Sequence, residues 1–109
     1  MVDYPKQKEI VWINFNPSSG KEIQKRRPAV VVSRTEFNRA TGFCVCCPIT
    51  STTRKFPSEV KIENKEVNGY LLTEQLRSFD YISRDIQRTN KLVSEEEWNE
   101  IYNKTQLIF

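Results

Sequence analysis

With 109 residues, 17 Lys and Arg against 14 Asp and Glu, and no histidine, the chain reads as one small domain, 1–109, able to bury only about 60–68% of its unfolded surface. The missing histidine excludes Ser-His-Asp, Cys-His and paired-histidine hydrolysis, and a net charge of +3 is too mild for a domain that coats nucleic acid without discrimination. Asp3, Lys6, Lys8 and Glu9 leave no apolar stretch of signal-peptide length, and no later run approaches the roughly 20 residues of a membrane span, so a cytoplasmic location without a membrane partner is expected.

Period-two alternation predicts strands over residues 9–15, 29–33, 43–49, 58–62 and 70–75. The first is apolar on both faces, with Val11, Ile13 and Phe15 alternating against Ile10 and Trp12, which suits a small barrel packed against a helix or a second subunit. Residues 35–39 lack breakers and fit a short helix. Thr41-Gly42 punctuates the approach to the third strand, and Asn68-Gly69 signals a tight turn before Tyr70. At the end, Ser94 and Glu97 have capping-box spacing, and Trp98, Ile101 and Tyr102 recur on one helical face. Alternation sets Cys44 and Cys46 on one face of the third strand and Cys47 on the other, as small buried hydrophobes. Three soft ligands without histidine, and scattered Asp3, Asp80 and Asp85, make a poor metal shell, so no metal or cofactor is expected.

The densest signal is the loop 20–28, where Gly20, Lys21, Glu22, Ile23, Gln24, Lys25 and Arg26 lead to Arg27-Pro28 and the run Ala29-Val30-Val31-Val32. Pro28 keeps Arg27 out of the helical region and removes a ladder donor, so a permanently charged, planar fork stands at a strand mouth with a preset direction. Such a fork suits a phosphodiester. Lys21, Lys25, Arg26 and Arg27 in this loop, Arg54 and Lys55 in another, and Arg77 after a strand form a local positive groove if they converge, and solvated loops if they do not. Glu95, Glu96, Glu97 and Glu100 gather at the opposite end of the sequence.

Gly20-x-Glu22 with Arg27-Pro28, the opening strand Val11 to Pro17, the strand start Thr41 to Cys46, Pro48-Ile49-Thr50-Ser51-Thr52, and Glu74-Gln75-Leu76-Arg77-Ser78 follow one another in an order and spacing that resembles the MazF/PemK (Kid) family of toxin endoribonucleases. The resemblance covers nearly the whole chain. It implies a mainly β fold with a C-terminal helix, a small SH3-like barrel of the MazF/PemK/CcdB type, and the toxin half of a type II toxin-antitoxin pair. It also implies a homodimer, single-stranded RNA (mRNA) lying across a positive groove at the subunit interface, and a cognate antitoxin that blocks the groove with an acidic tail.

The chemistry fits a chain without histidine, because RNA carries its own nucleophile. Attack of the 2′-hydroxyl on phosphorus expels the 5′-oxygen and leaves a 2′,3′-cyclic phosphate, while the protein holds geometry, moves protons and stabilises the phosphorane. The resemblance makes Arg27 and Thr50 the catalytic pair. Glu22 matches the family's functional glutamate and is the candidate proton acceptor; its alternative is an exposed acid paired with Lys21, Lys25 or Arg26. Asn14 and Asn16 offer amides to base edges, and Phe15 offers a stacking face or a core side chain. Lys25, Ser51 and Thr52 join the expected RNA contacts. So do Arg54 and Phe56, unless theirs is a plain turn, and Gln75, Arg77 and Ser78, with Asp80 as a neighbour for Arg77 in cleavage or in a surface ion pair. Family members often have Gln and small glycines where Ile23, Gln24, Lys25 and Arg26 stand, so this loop is bulkier and more cationic. The rival readings are a non-enzymatic gyrase poison of the CcdB type and an SH3-like module that binds RNA without cutting it.

Overall fold

Alternation along the first strand decides how the sheet is used. In the computed structural model, which describes residues 4–16, 20–22 and 25–109, β1 (Glu9–Asn14) sends Val11 and Ile13 to one buried cluster and Ile10 to another, so both faces of the sheet are covered. Asp3, Pro17, Ile23 and Gln24, named above, lie outside the described residues. The remaining strands are β2 (Arg26–Val31), β3 (Phe43–Thr50), β4 (Glu59–Glu63), β5 (Asn68–Leu72), β6 (Arg77–Asp80) and β7 (Gln87–Leu92), with helices α1 (Thr35–Thr41) and α2 (Glu95–Gln106). They form a seven-stranded antiparallel sheet in the order β4-β5-β3-β2-β1-β7, with β6 also on β3. The mainly β fold with a C-terminal helix is therefore as expected, as an open half-barrel.

The three cysteines follow their alternation. Cys44 and Cys46 join Phe15, Phe79 and Tyr81 on one face, while Cys47 packs with Ile49, Leu71 and Ile101 on the other. Burial pushes the Cys47 thiol up to about 12, with the Glu74 charge adding to it, which suits an inert packing residue.

Several boundaries differ from the sequence reading. β2 starts at Arg26 rather than 29, because Arg26, Arg27 and Pro28 pair with Asn14, Ile13 and Trp12 of β1. Residues 73–75 are a 3-10 turn rather than the end of a strand. Asn68-Gly69 is not the turn: both residues sit within β5, with Gly69 opposite Ile62. The turn falls earlier, where the Asn64 side chain accepts from the amides of Glu66 at 2.8 Å and Val67 at 3.0 Å. Strands β6 and β7 were not predicted. In β6 Phe79 is the one buried side chain, and β7 reads Gln-Arg-Thr-Asn-Lys-Leu with none.

β7 is held by chemistry rather than by apolar pattern. Its register on β1 shifts between Ile10 and Val11, where Asn90 takes φ 60° and the fully buried Glu9 carboxylate accepts from Arg88 Nε at 3.0 and 3.1 Å and from the Asn90 amide at 3.0 Å. The short helix forms over Thr35–Thr41 and ends on Gly42 at φ 76°. α2 carries the expected capping box, Glu97 N to Ser94 Oγ at 3.1 Å and Ser94 N to Glu97 Oε1 at 3.0 Å. The second Glu97 oxygen accepts the Glu63 amide at 2.9 Å, tying the helix start to β4. Ile101 is buried and Trp98 half-buried, but Tyr102 is exposed and leans on Trp98, while Thr105 takes its place inside.

Candidate active site

The ladder between β2 and β3 runs through Val31↔Cys46, Val30↔Cys47 and Ala29↔Pro48. It stops where Pro28 has no N–H to give. Both strands run on from there, β2 back through Arg27 to Arg26 and β3 on to Thr50, so carrying the same register forward by two residues leads to Arg27 opposite Thr50, on one face of the sheet. Arg27 is also paired with Ile13, and Arg77 with Cys46. Alternation thus puts Arg27, Thr50 and Arg77 on the sheet face that carries the Ile13, Cys46 and Phe79 cluster.

Thr50 is buried to 7% exposure, and its hydroxyl oxygen accepts the Thr52 amide at 3.4 Å. That contact leaves the hydroxyl proton to donate elsewhere. Behind Thr50 stands Gly69. A Cβ there would lie 2.5 Å from the Thr50 carbonyl oxygen and 2.8 Å from Ile49 Cγ2, so the close approach of β5 requires glycine. Gly69→Ala is expected to lower stability by about 1–3 kcal/mol through overpacking and to lower activity by shifting Thr50. Thermal melting with a cleavage assay checks this, and wild-type values in both would show that position 50 is not fixed from behind.

Glu22 and Arg77 line one cleft of about 140 Å³ together with Phe15, Glu74, Gln75 and Leu76. Arg77 Nη1 donates to the Phe15 carbonyl at 2.7 Å, and its guanidinium lies over the Phe79 ring, 4.9 Å from the centroid. The Arg54 Nη1 and Gln75 Nε2 groups both reach the Lys21 carbonyl, at 2.8 and 3.3 Å. The three basic segments therefore do converge. Glu59 organises the Arg54 turn by accepting the Thr53 hydroxyl at 2.7 Å and the Arg54 amide. Burial raises the Glu59 pKa, but the bonds from Thr53 and the amides of Arg54 and Lys55 outweigh it and hold the carboxyl below its ordinary value.

Other expected contacts are placed as follows. Phe15 is 1% exposed and meets Phe79 edge-on at 5.1 Å, so it is a core residue and cannot stack on a base. The Asn14 and Asn16 oxygens accept the amides of Asn16 at 2.9 Å and Lys25 at 3.0 Å, shaping the start of the loop, and Lys25 takes φ 69° there. Lys25, Ser51, Thr52, Phe56 and Ser78 are exposed. Asp80 accepts the amides of Ile82 at 3.1 Å and Ser83 at 3.2 Å. The Ser83 bonds hold its carboxyl below the usual range, so it serves its own turn. Arg84 was missed by sequence reasoning: its Nη1 donates to the carbonyls of Asn14, at 3.1 Å, and Asn16, and it lies over Phe79 from 5.2 Å. No periodicity or motif marks it. Among the described residues no three of His, Cys, Asp and Glu gather to hold a metal ion, and no helix is long and apolar enough to cross a membrane.

Over residues 6–109 the chain matches the family described as PemK-like, MazF-like toxins of type II toxin-antitoxin systems. It is 33% identical over 92 residues to the endoribonuclease toxin MazF of Escherichia coli K12, covering 84% of this chain and 83% of that protein. The crystal structure of MazF (Form-I) from Deinococcus radiodurans superposes with a TM-score of 0.89 at 31% identity, covering 98% of this chain and 97% of that one. A MazE-MazF structure (Form-II) from the same organism gives 0.81 at 29% identity over 98% and 96%.

Proposed function

Because this chain belongs to the family of PemK-like, MazF-like toxins of type II toxin-antitoxin systems, we propose that it cuts single-stranded mRNA at selected sequences, without a metal, by letting the ribose 2′-hydroxyl attack the neighbouring phosphorus. It is an endoribonuclease toxin, and a cognate antitoxin is its protein partner. The observation that supports the reading is the β2–β3 register, which ends at Ala29 opposite Pro48 and which, carried on by two residues, leads to Arg27 and Thr50.

In this reading Arg27 neutralises charge on the phosphorane oxygens and the Thr50 hydroxyl donates to the same oxygens. Glu22, in the cleft beside Arg77, accepts the 2′-hydroxyl proton, a step worth roughly a hundredfold or more. As O2′ closes onto phosphorus, the bond from phosphorus to the 5′-oxygen breaks, and that oxygen takes its proton from water, leaving a 2′,3′-cyclic phosphate. Lys25, Ser51, Thr52, Phe56 and Ser78, all exposed, hold the strand, with the amides of Asn14 and Asn16 at the end of β1 and with Arg77, which shares a cleft with Glu22. Two copies act together in the cytoplasm, and RNA lies across the groove where they meet. The exposed Leu107, Ile108 and Phe109 support pairing, since a small domain gains from covering such surface. The antitoxin blocks that groove with an acidic tail.

The test is incubation in excess chelator with a mixed-sequence RNA and with the same RNA carrying 2′-deoxy substitutions. The first is expected to be cut, leaving cyclic phosphate ends, and the second to stay intact. Cutting of the deoxy-substituted strand, dependence on added metal, or RNA retained but never cut would each overturn the reading.

A further inference from the structure

We propose that Arg54 and Gln75 are positioning residues: they grip the Lys21 main-chain carbonyl from two sides and so set Glu22 in the cleft, rather than reading RNA themselves. This rests on Glu22 acting as the proton acceptor. A carbonyl on a surface loop is ordinarily satisfied by water. Here Arg54 Nη1 at 2.8 Å and Gln75 Nε2 at 3.3 Å, from segments far apart in sequence, converge on one oxygen, whose two lone pairs accommodate both. The next residue along the chain is Glu22, which lines the same cleft as Gln75 and Arg77.

Both donors stand on a braced frame. Glu59 of β4 fixes the 53–55 turn through the Thr53 hydroxyl and the Arg54 amide, and Lys55 N closes that turn on Thr53 Oγ1 at 3.1 Å. The 3-10 turn that carries Gln75 is tied to the same hairpin by Thr73 Oγ1 to the Ser58 carbonyl at 2.7 Å and by Ser58 Oγ to Glu74 Oε1 at 2.6 Å. A brace of this kind on a loop next to the chemistry does what pre-organisation requires, since a misplacement of about 1 Å can cost about a hundredfold in rate.

The experiment compares Arg54→Met and Gln75→Met with the full-length parent, after circular dichroism has confirmed folding. Amide hydrogen exchange over residues 20–22 is expected to quicken in both. The kcat of Arg54→Met is expected to fall about a hundredfold, while affinity for the 2′-deoxy strand stays within about twofold and its salt dependence is unchanged; a lost phosphate contact would flatten the salt slope by about 0.7. In a Glu22→Gln background, Arg54→Met is expected to have no further effect on kcat. Unchanged exchange at 20–22 would overturn the grip itself. A flattened salt slope with weaker binding would make Arg54 an RNA contact instead. Faster exchange with full activity in Glu22→Gln would leave the grip standing but remove the role of Glu22, and with it the positioning role.

Discussion

Arg27→Ala is expected to lower the single-turnover rate of RNA cleavage by about 10²–10³-fold, equivalent to roughly 2.7–4 kcal/mol of transition-state stabilisation, the range found when one oxyanion donor is removed. The reasons are local. Arg27 is held in β2 by pairing with Ile13, and Pro28 prevents both a helical turn at Arg27 and closure of the ladder in front of it. The side chain therefore needs little reordering when charge builds on phosphorus. Arg27→Lys keeps the charge but loses the planar fork, so it is expected to recover only part of the rate. Unfolding should remain cooperative in both variants, because Arg27 is the second residue of β2 and belongs to neither core cluster. A rate within tenfold of the parent for Arg27→Ala would remove this residue from the chemistry.

Arg88→Met is expected to cost about 3–5 kcal/mol of stability, the usual penalty for stranding one member of a buried ion pair. Glu9 is 0% exposed. Its oxygens accept from Arg88 Nε at 3.0 and 3.1 Å, from the Lys6 amide at 3.0 Å and from the Asn90 amide at 3.0 Å. Without the guanidinium, the buried carboxylate keeps the Lys6 and Asn90 amides but loses its countercharge. Against a total of about 5–15 kcal/mol for a domain of this kind, that loss lowers the melting temperature by at least about 12 °C. Urea titration measures it directly. Exchanging both members for apolar residues, as in Glu9→Leu with Arg88→Met, should restore part of the loss, whereas a penalty below about 1 kcal/mol in the single variant would show that water reaches Glu9. At low temperature the folded fraction of Arg88→Met should still cleave RNA, which separates this substitution from Arg27→Ala.

The contrast between these two arginines reflects what a single sequence exposes. Arg27 was legible because proline follows it and a valine run follows that, a local pattern with a local meaning. Arg88 was not, since its partner Glu9 lies 79 positions away and β7 shows no apolar alternation. The same holds for Arg84, whose bonds reach back to Asn14 and Asn16. Strands β1 and β3 were readable because their apolar residues serve two cores. β6 was hidden because Phe79 is its one buried side chain and the residue that shares its face, Arg77, is charged. Asn68-Gly69 misled for a physical reason: glycine is demanded there by the carbonyl of Thr50, not by a turn. Phe15 stood open between core and base contact, because alternation fixes a face and leaves unsaid what lies against it; Phe79 decides it.

The 3-10 turn at Thr73–Gln75 sits where β3 exchanges one neighbour for another: Cys46 faces Arg77 of β6, and Thr50 faces Tyr70 of β5. Four steps along β3 thus answer to seven along the opposing chain, and the surplus is absorbed by that turn. Insertions are tolerable in most hairpin tips of such a sheet, but here the chain length is constrained on both sides. One residue gained or lost would rotate Arg77 to the far side of its strand or pull Gln75 off the loop it touches, so this short segment acts as a fixed spacer between the part of the protein that folds and the part that cuts.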